Sequence, residues 1–438
     1  MLESRSLLAQ FFKFTSATIA SLLVFSLYSI IDGLFVARGI GEYAMSAVNL
    51  AVPFINLLFS VAVLFAVGTS TIIAIYLGQG KHENANSLFS QNLALLLAIG
   101  LVITAIVLLF PQQFAALLGA KDVTLPYATK YLQGLAPFTV CFMVSYNLEI
   151  LVKTDGYPQI AIITVVTGCI TNCVLDYLMI FVWQWGTWGA AFATGLSQLL
   201  TCIIYLIHFT GSKTTFHPVR FRMDWNIYRR LIPIGVSDGV TELCNGLMIF
   251  LFNRTILRCI GQDGLVSYTI IAYVNTLIIN IMLGVSQGAQ PLISYQYGKG
   301  NKKNNISLLR YGLITAACVA VVGFSLFYLF APQLVHAFLG NENPALNAYS
   351  VNAFHRYSLC YLLVGFNIMI GGFMTAVERP KPAIAISIGR GLLVQSCCLL
   401  ILAAIFGGDS IWFAPVISEA ICLVFALIFL GSNHKKKD

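Results

Sequence analysis

Apolar stretches long enough to cross a bilayer follow one another along the whole chain, and few folds tolerate that. A transmembrane helix needs about 20 predominantly apolar residues to cross a hydrocarbon core about 30 Å thick. Twelve runs meet that requirement, near residues 14–36, 48–77, 88–110, 128–152, 159–182, 188–208, 230–252, 266–297, 306–330, 347–376, 383–405 and 411–431. Several exceed a straight crossing, so tilt or projection beyond the bilayer is expected. Gly78-Gln79-Gly80, Gly156-Tyr157-Pro158, Gly298-Lys299-Gly300 and Pro380-Lys381-Pro382 fall between runs and punctuate them. Only 10% of residues are charged and 58% are hydrophobic, whereas a soluble domain carries about 25% charged residues. The expected class is therefore an all-α polytopic membrane protein, and residues 14–36 read as a retained first helix, not a removed signal peptide.

The net charge of +8 suggests nucleic acid only until the basic residues are located. They sit in short loops between apolar runs, which is a topology signal. Nineteen of the 25 basic residues fall on the N-terminal side, Arg390 among them, when twelve spans are assumed. Arg38, Lys121, Lys130, Arg254, Arg258 and Arg356 fall on the other side. The positive-inside rule then places both termini in the cytoplasm. The Lys435-Lys436-Lys437 tail fits a lipid-headgroup contact.

The longest polar connection, 209–229, lies near the midpoint. It divides the chain into an N-lobe of six helices (1–210), a cytoplasmic linker (211–229) and a C-lobe of six helices (230–438). Gly68, Gly78 and Gly80 match Gly288, Gly298 and Gly300 at one constant offset. The fifth and eleventh runs also begin alike, with Pro158 set against Pro382. A repeat with equal parity implies two lobes related by a pseudo-two-fold axis along the membrane normal.

Six acidic residues fall within spans: Asp32, Glu149, Asp176, Asp238, Glu242 and Glu419. An unpaired carboxylate at the bilayer centre costs about 2.5–3.5 kcal/mol on insertion scales, so each needs a partner, a proton or a wet cavity. From a helix rise of about 1.5 Å per residue, Asp32 and Asp176 occupy one layer of the outer half. Asn172 lies one turn from Asp176 on the same face, and Thr194 reaches that layer from the sixth helix. Four oxygen-bearing side chains at one depth suit a proton or a hard cation such as Na+; capping of helix ends is the structural alternative. Asp238, Glu242 and Glu419 form a second set near mid-depth, suited to an organic cation or a second cation, or else to a hydrogen-bond network inside the lobe. Glu149 with Lys153 at i+4 reads as a snorkelling ion pair at the interface.

The remaining chemistry-bearing residues exclude more than they suggest. The eleven cysteines lie almost entirely inside apolar runs and form no CxxC pair, so they read as small packing residues. The six histidines show no metal-ligand spacing, and no phosphate-cradling Gly-rich Lys loop occurs. Trp183, Trp185 and Trp188 mark the outer interface. No cofactor, metal centre, nucleic-acid partner or enzymatic activity is expected.

Four stretches carry a resemblance. They are Ile31-Asp32-Gly33-Leu34-Phe35-Val36-Ala37-Arg38-Gly39-Ile40-Gly41 with Ala47-Val48-Asn49; Gly78-Gln79-Gly80-Lys81 with Ala85-Asn86; Asp155-Gly156-Tyr157-Pro158 leading to Asn172, Leu175 and Asp176; and Glu378-Arg379-Pro380-Lys381-Pro382. Together the chain resembles the multidrug and toxic compound extrusion (MATE) family, on its DinF-like or MepA-like bacterial branch. The resemblance implies a monomeric secondary antiporter that exports amphipathic or cationic drugs against inward H+ or Na+ flow. It maps an N-lobe cation site onto Asp32, Asn172 and Asp176, with Thr194 as a fourth member. Glu242 matches a seventh-helix glutamate of the NorM-like branch. The tenth-helix aspartate of that branch has no counterpart, because 347–376 contains no Asp or Glu. The alternative within the same architecture is a flippase for lipid-linked precursors, which would need a basic cavity.

Overall fold

In a computed structural model of the protein, residues 6–212, 214–340 and 343–435 are described, the side chains of Glu42 and 433–435 excepted. Arg5, Lys213, Lys436 and Lys437 lie outside the described residues, and with them most of the basic tail. The described chain is nearly all helical. Twelve helices are long and apolar enough to cross a membrane: α1 (Leu7–Gly39), α2 (Tyr43–Gly78), α3 (His82–Leu109), α4 (Thr124–Thr154), α5 (Pro158–Val182), α6 (Gly186–Thr210), α7 (Trp225–Cys259), α8 (Gln262–Gly298), α9 (Lys302–Leu329), α10 (Pro344–Ala376), α11 (Pro380–Ile405) and α12 (Gly408–Ser432). The all-α, twelve-span expectation holds. Helices α1, α2, α7 and α8 run several residues past the apolar runs.

Each half repeats one element order: three spans, a short helix, then three spans. The short helices, Pro111–Leu117 and Ala331–Leu339, both carry Pro in the first turn, where its missing N–H costs nothing. The turns repeat as well. Gly80 and Gly300 take φ of 73° and 71°, a left-handed geometry that needs no Cβ. Before α5, the amides of Asp155, Gly156 and Tyr157 bond the carbonyls of Leu151, Lys153 and Val152. Before α11, Val377, Glu378 and Arg379 make the same three bonds to Phe373, Thr375 and Met374. The structural register therefore pairs Pro158 with Pro380, not with Pro382; the sequence match at Pro382 was a local coincidence two residues out of step.

Contacts divide the chain into two compact units. The first contains Ala20–Glu242 and Ser294–Gly300, the second Ser6–Ile19, Leu243–Ile293 and the chain from Asn301 onward. The first unit packs around Phe54, Leu58, Phe89, Leu132 and Leu148, the second around Phe252, Phe354, Tyr361 and Trp412. Apolar side chains also stay exposed, as with Val102 and Leu109 on α3 and Val321 and Val322 on α9. In lipid such faces incur no penalty, so helices associate through close backbone approach. Within the first unit, a Cβ at Gly78 would lie 2.3 Å from the Tyr295 carbonyl, and one at Gly298 would lie 2.3 Å from the Ile75 carbonyl. Gly78 and Gly298 thus let α2 and the end of α8 touch backbone to backbone.

The linker is strapped to the first unit. The amides of His217, Val219 and Asp224 donate to Asn86 Oδ1, Ser90 Oγ and Gln91 Oε1 along the start of α3. Phe216 is fully buried against Phe89 and Phe209. Asp155 accepts from the backbone N–H and the hydroxyl of Thr215 and bonds the His208 ring at 2.8 Å.

Candidate functional site

Pro158 starts α5 and sets the face it shows to the unit interior. Along that face come Thr164, Gly168, Asn172 and Asp176, all buried and spaced by one helical turn. After Asp176 the helix widens to i→i+5 geometry over Tyr177–Val182, a local defect that recurs at functional positions. Asp176 has no exposed surface. Asn172 Nδ2 donates to Thr194 Oγ1 at 3.3 Å, while the Thr194 hydroxyl donates to the Ala190 carbonyl at 3.0 Å.

What remains on this face is oxygen without donors. Both carboxylate oxygens of Asp176, Asn172 Oδ1 and Asp32 Oδ1 are buried and accept no hydrogen bond. Asp32 on α1 comes within hydrogen-bonding reach of Asp176. Two facing carboxylates have no proton between them to donate, so they need a proton or a metal cation to satisfy both. Tyr28, one turn before Asp32, and Tyr131 on α4 are electrostatic neighbours of both acids. The structure thus brings together Asp32, Asn172, Asp176 and Thr194 and adds two tyrosines. Tyr28 was legible from its i−4 spacing to Asp32; nothing in the sequence marks Tyr131.

The other in-span acids have different surroundings. Asp238 and Glu242 on α7 are half-buried and, with Glu149, surround Tyr146. Lys153 pairs with Glu149 at 2.9 Å, and their side chains are only 4% and 15% exposed. This pair is buried inside the first unit, which corrects the reading of a snorkelling interface pair. Snorkelling fails because Lys153 packs on the inward face of α4.

Glu419 belongs to the second unit. Its carboxylate accepts from Arg390 Nε at 3.2 Å and Asn367 Nδ2 at 2.7 Å. Asn367 Nδ2 also donates to the Glu419 carbonyl at 2.8 Å. Arg390 is therefore not a loop residue; it sits ten residues into α11, within a second widened segment, Gly389–Leu393. The Glu419 charge makes that burial tolerable.

Comparison with known proteins agrees with this architecture. The MatE family model matches residues 17–178 and 239–400, one stretch in each half. Multidrug export protein MepA of Staphylococcus aureus (strain bovine RF122 / ET3-1) is 24% identical over 92% of this chain and 89% of its own. MepA of Staphylococcus haemolyticus (strain JCSC1435) is 26% identical, with 99% and 95% covered. Among solved structures, a multidrug resistance MATE family transporter of the MOP superfamily in an outward-facing conformation superposes with a TM-score of 0.91 at 21% identity, covering 98% of this chain and 96% of that one. With the family model covering most of the chain, the repeat order and the twelve spans in place, the protein belongs to the MatE family of multi-pass membrane transporters.

Proposed function

We propose that the protein is a secondary active exporter of amphipathic or cationic organic compounds, driven by counterflow of H+ or Na+ through alternating access. The observation that carries this reading is the Asp32–Asp176 pair, with three buried carboxylate oxygens that meet no donor among the described residues. An uncompensated carboxylate inside a span costs about 2.5–3.5 kcal/mol, and two that face each other repel when both are ionised. One cation between them removes both penalties. Asp32, Asp176, Asn172 Oδ1 and Thr194 Oγ1 form an all-oxygen set, the ligand type that hard cations such as Na+ select, and a shared proton satisfies the same atoms.

Coupling follows from differential affinity, since a ligand shifts a conformational equilibrium only by its preference for one state. The widened turn directly after Asp176 supplies backbone that can change register when the cation arrives or leaves. A cationic substrate and the coupling ion then compete for the negative field of the same pair. Tyr28, Phe25, Phe59 and Tyr146 form a row of tilted and edge-to-face ring contacts that starts at Tyr28 beside the site, and ring faces suit flat aromatic cations. Asp238 and Glu242, half-buried near Tyr146, are the second place where a positive substrate group would be held. The two MepA relatives, named as multidrug exporters, support the substrate class. We place the protein as a monomer in the bacterial cytoplasmic membrane, with both termini in the cytoplasm and no cofactor.

The test is ethidium efflux from proteoliposomes under imposed proton and sodium gradients in turn, for the wild type and for Asp32→Asn. Gradient-driven efflux that disappears in Asp32→Asn supports antiport and identifies the ion. A wild type that moves no cationic dye under either gradient overturns the reading and redirects attention to lipid-linked precursors.

A further inference from the structure

The exporter reading leaves the chemistry of Arg390 unused. This residue lies about 15 Å along α11 from Pro380, a depth where a guanidinium is normally excluded. Its stem is buried, with the side chain 13% exposed. Only Nε is engaged, by Glu419 Oε1 at 3.2 Å. Among the described residues no hydrogen bond reaches Nη1 or Nη2, so four N–H donors of the planar fork are open. Glu419 is meanwhile fixed from its other side by Asn367, whose Oδ1 is itself buried without a donor. Cys360 and Cys422 are further neighbours of the charge pair.

The arrangement is not inherited from the repeat. In the structural register set by Pro158 and Pro380, the first-unit counterpart of Arg390 is Gly168. A Cβ there would lie 2.6 Å from Thr201 Cγ2, so even an alanine at that point would force the Thr201 side chain to shift. The second unit has made room for an arginine and supplied it with a counter-charge along only one edge.

Resting on the exporter reading, we infer that the open Nη1/Nη2 edge of Arg390 is a second-unit site for the carboxylate of zwitterionic substrates, with Glu419 holding the guanidinium in place. A guanidinium fork matches a carboxylate through two parallel charge-assisted bonds, which a lysine point charge cannot reproduce. The Glu419 pairing orients the fork through Nε and leaves its end edge for the ligand. The pair as a whole is neutral, so a purely cationic compound gains nothing from it. Arg390 thus widens the substrate range from cations to compounds that carry a carboxylate as well.

The experiment uses two fluorescent probes on one scaffold: a xanthene dye with a free carboxylate, and its methyl ester. Binding to the purified full-length protein is followed by fluorescence anisotropy, and export by proteoliposomes in parallel. Because Arg390→Met alone strands the Glu419 charge, the informative variant is the neutral double change Arg390→Met with Glu419→Gln. The expected result is a Kd for the free acid weakened tenfold or more in the double variant, with the ester changed less than twofold and still exported. Arg390→Lys should recover only part of the free-acid affinity. Equal losses for acid and ester, or an unchanged acid Kd, overturn the inference while ester export keeps the exporter reading intact. A wild type that neither binds nor moves the ester overturns both. Displacement of the free acid by a soluble short-chain phosphatidylglycerol but not by benzoate assigns the fork to a lipid phosphate and also overturns the proposal.

Discussion

Replacing Asp155 by Ala should release the inter-lobe linker, and the size of the effect can be worked from its three bonds. The Asp155 side chain has no exposed surface, yet its partners differ in their access to water. The His208 ring is only 11% exposed and is boxed by Tyr157 and Phe209 at 5.0 and 5.1 Å, but His208 stands on α6 and its bond stays intact when the linker opens. The two bonds to Thr215 are the ones that break. Thr215 is exposed, so water offsets part of their loss, and each contributes about 0.5–1.5 kcal/mol. Local opening of the linker becomes easier by about 1–3 kcal/mol, which multiplies the open population about 5- to 150-fold.

Trypsin reports that population directly, because Arg220 and Arg222 are exposed within the strapped segment and cleavage follows the open fraction when closing is fast. Asp155→Ala should be cut at the linker about 5-fold faster or more. Asp155→Asn, which keeps an acceptor oxygen for Thr215, should be cut about twofold faster, as for the loss of roughly 0.5 kcal/mol. A rate within twofold of wild type for Asp155→Ala would refute the reasoning. It would show that Phe216 and the α3 side chains hold the linker without the carboxylate.

Three further outcomes follow from the same geometry. Asp176→Asn should abolish gradient-driven efflux while lowering the melting temperature not at all, since it removes charge from a fully buried carboxylate that accepts no hydrogen bond; a lower melting temperature would mean the charge is compensated. Gly78→Ala should destabilise by about 1–3 kcal/mol, read as a lower melting temperature in detergent, because its Cβ meets backbone, which cannot swing aside as a side-chain end can. Lys153→Met should cost about 3–5 kcal/mol by leaving Glu149 buried and unpaired, and adding Glu149→Gln should recover most of it. No recovery would place the worth of Lys153 in its packing instead of its charge.

The spans were legible because the bilayer leaves little choice: a chain with this spacing of apolar runs can satisfy its backbone in lipid only as helices. Asn172 and Asp176 were legible together because four residues make one turn, and Asp32 because rise per residue converts position into depth. Neither rule reaches across the unit to Tyr131, which meets the acids through the packing of α4. Asp155 read as a turn residue, since its partners lie 53 and 60 positions away. Arg390 was misread for a related reason. Loop counting assigns a base near a proline-rich turn to water, and only the partner on α12 reveals that it belongs to the membrane interior.

The two halves share scaffold but not charge, and this asymmetry is the main functional lesson of the fold. Short helices, left-handed turns and the bonds before α5 and α11 recur position by position, and both helices carry a widened turn beside a charged residue. In the register of Pro158 and Pro380, however, Asn172 and Asp176 correspond to Val394 and Cys398. On this face the first unit keeps Asp32 and Asp176, whose buried carboxylate oxygens meet no donor among the described residues. The second keeps one acid already met by a guanidinium. A duplication preserves what backbone packing requires, namely the glycines, prolines and turn geometry, because their loss would be felt in folding. Charged side chains inside a span are under the opposite pressure, for each costs stability unless a ligand or partner answers it. Where the repeat retains an unanswered charge in one half only, the proposed function assigns the answer to an ion or substrate, and Asp32 with Asp176 is the pair for which no described residue of the first unit supplies it.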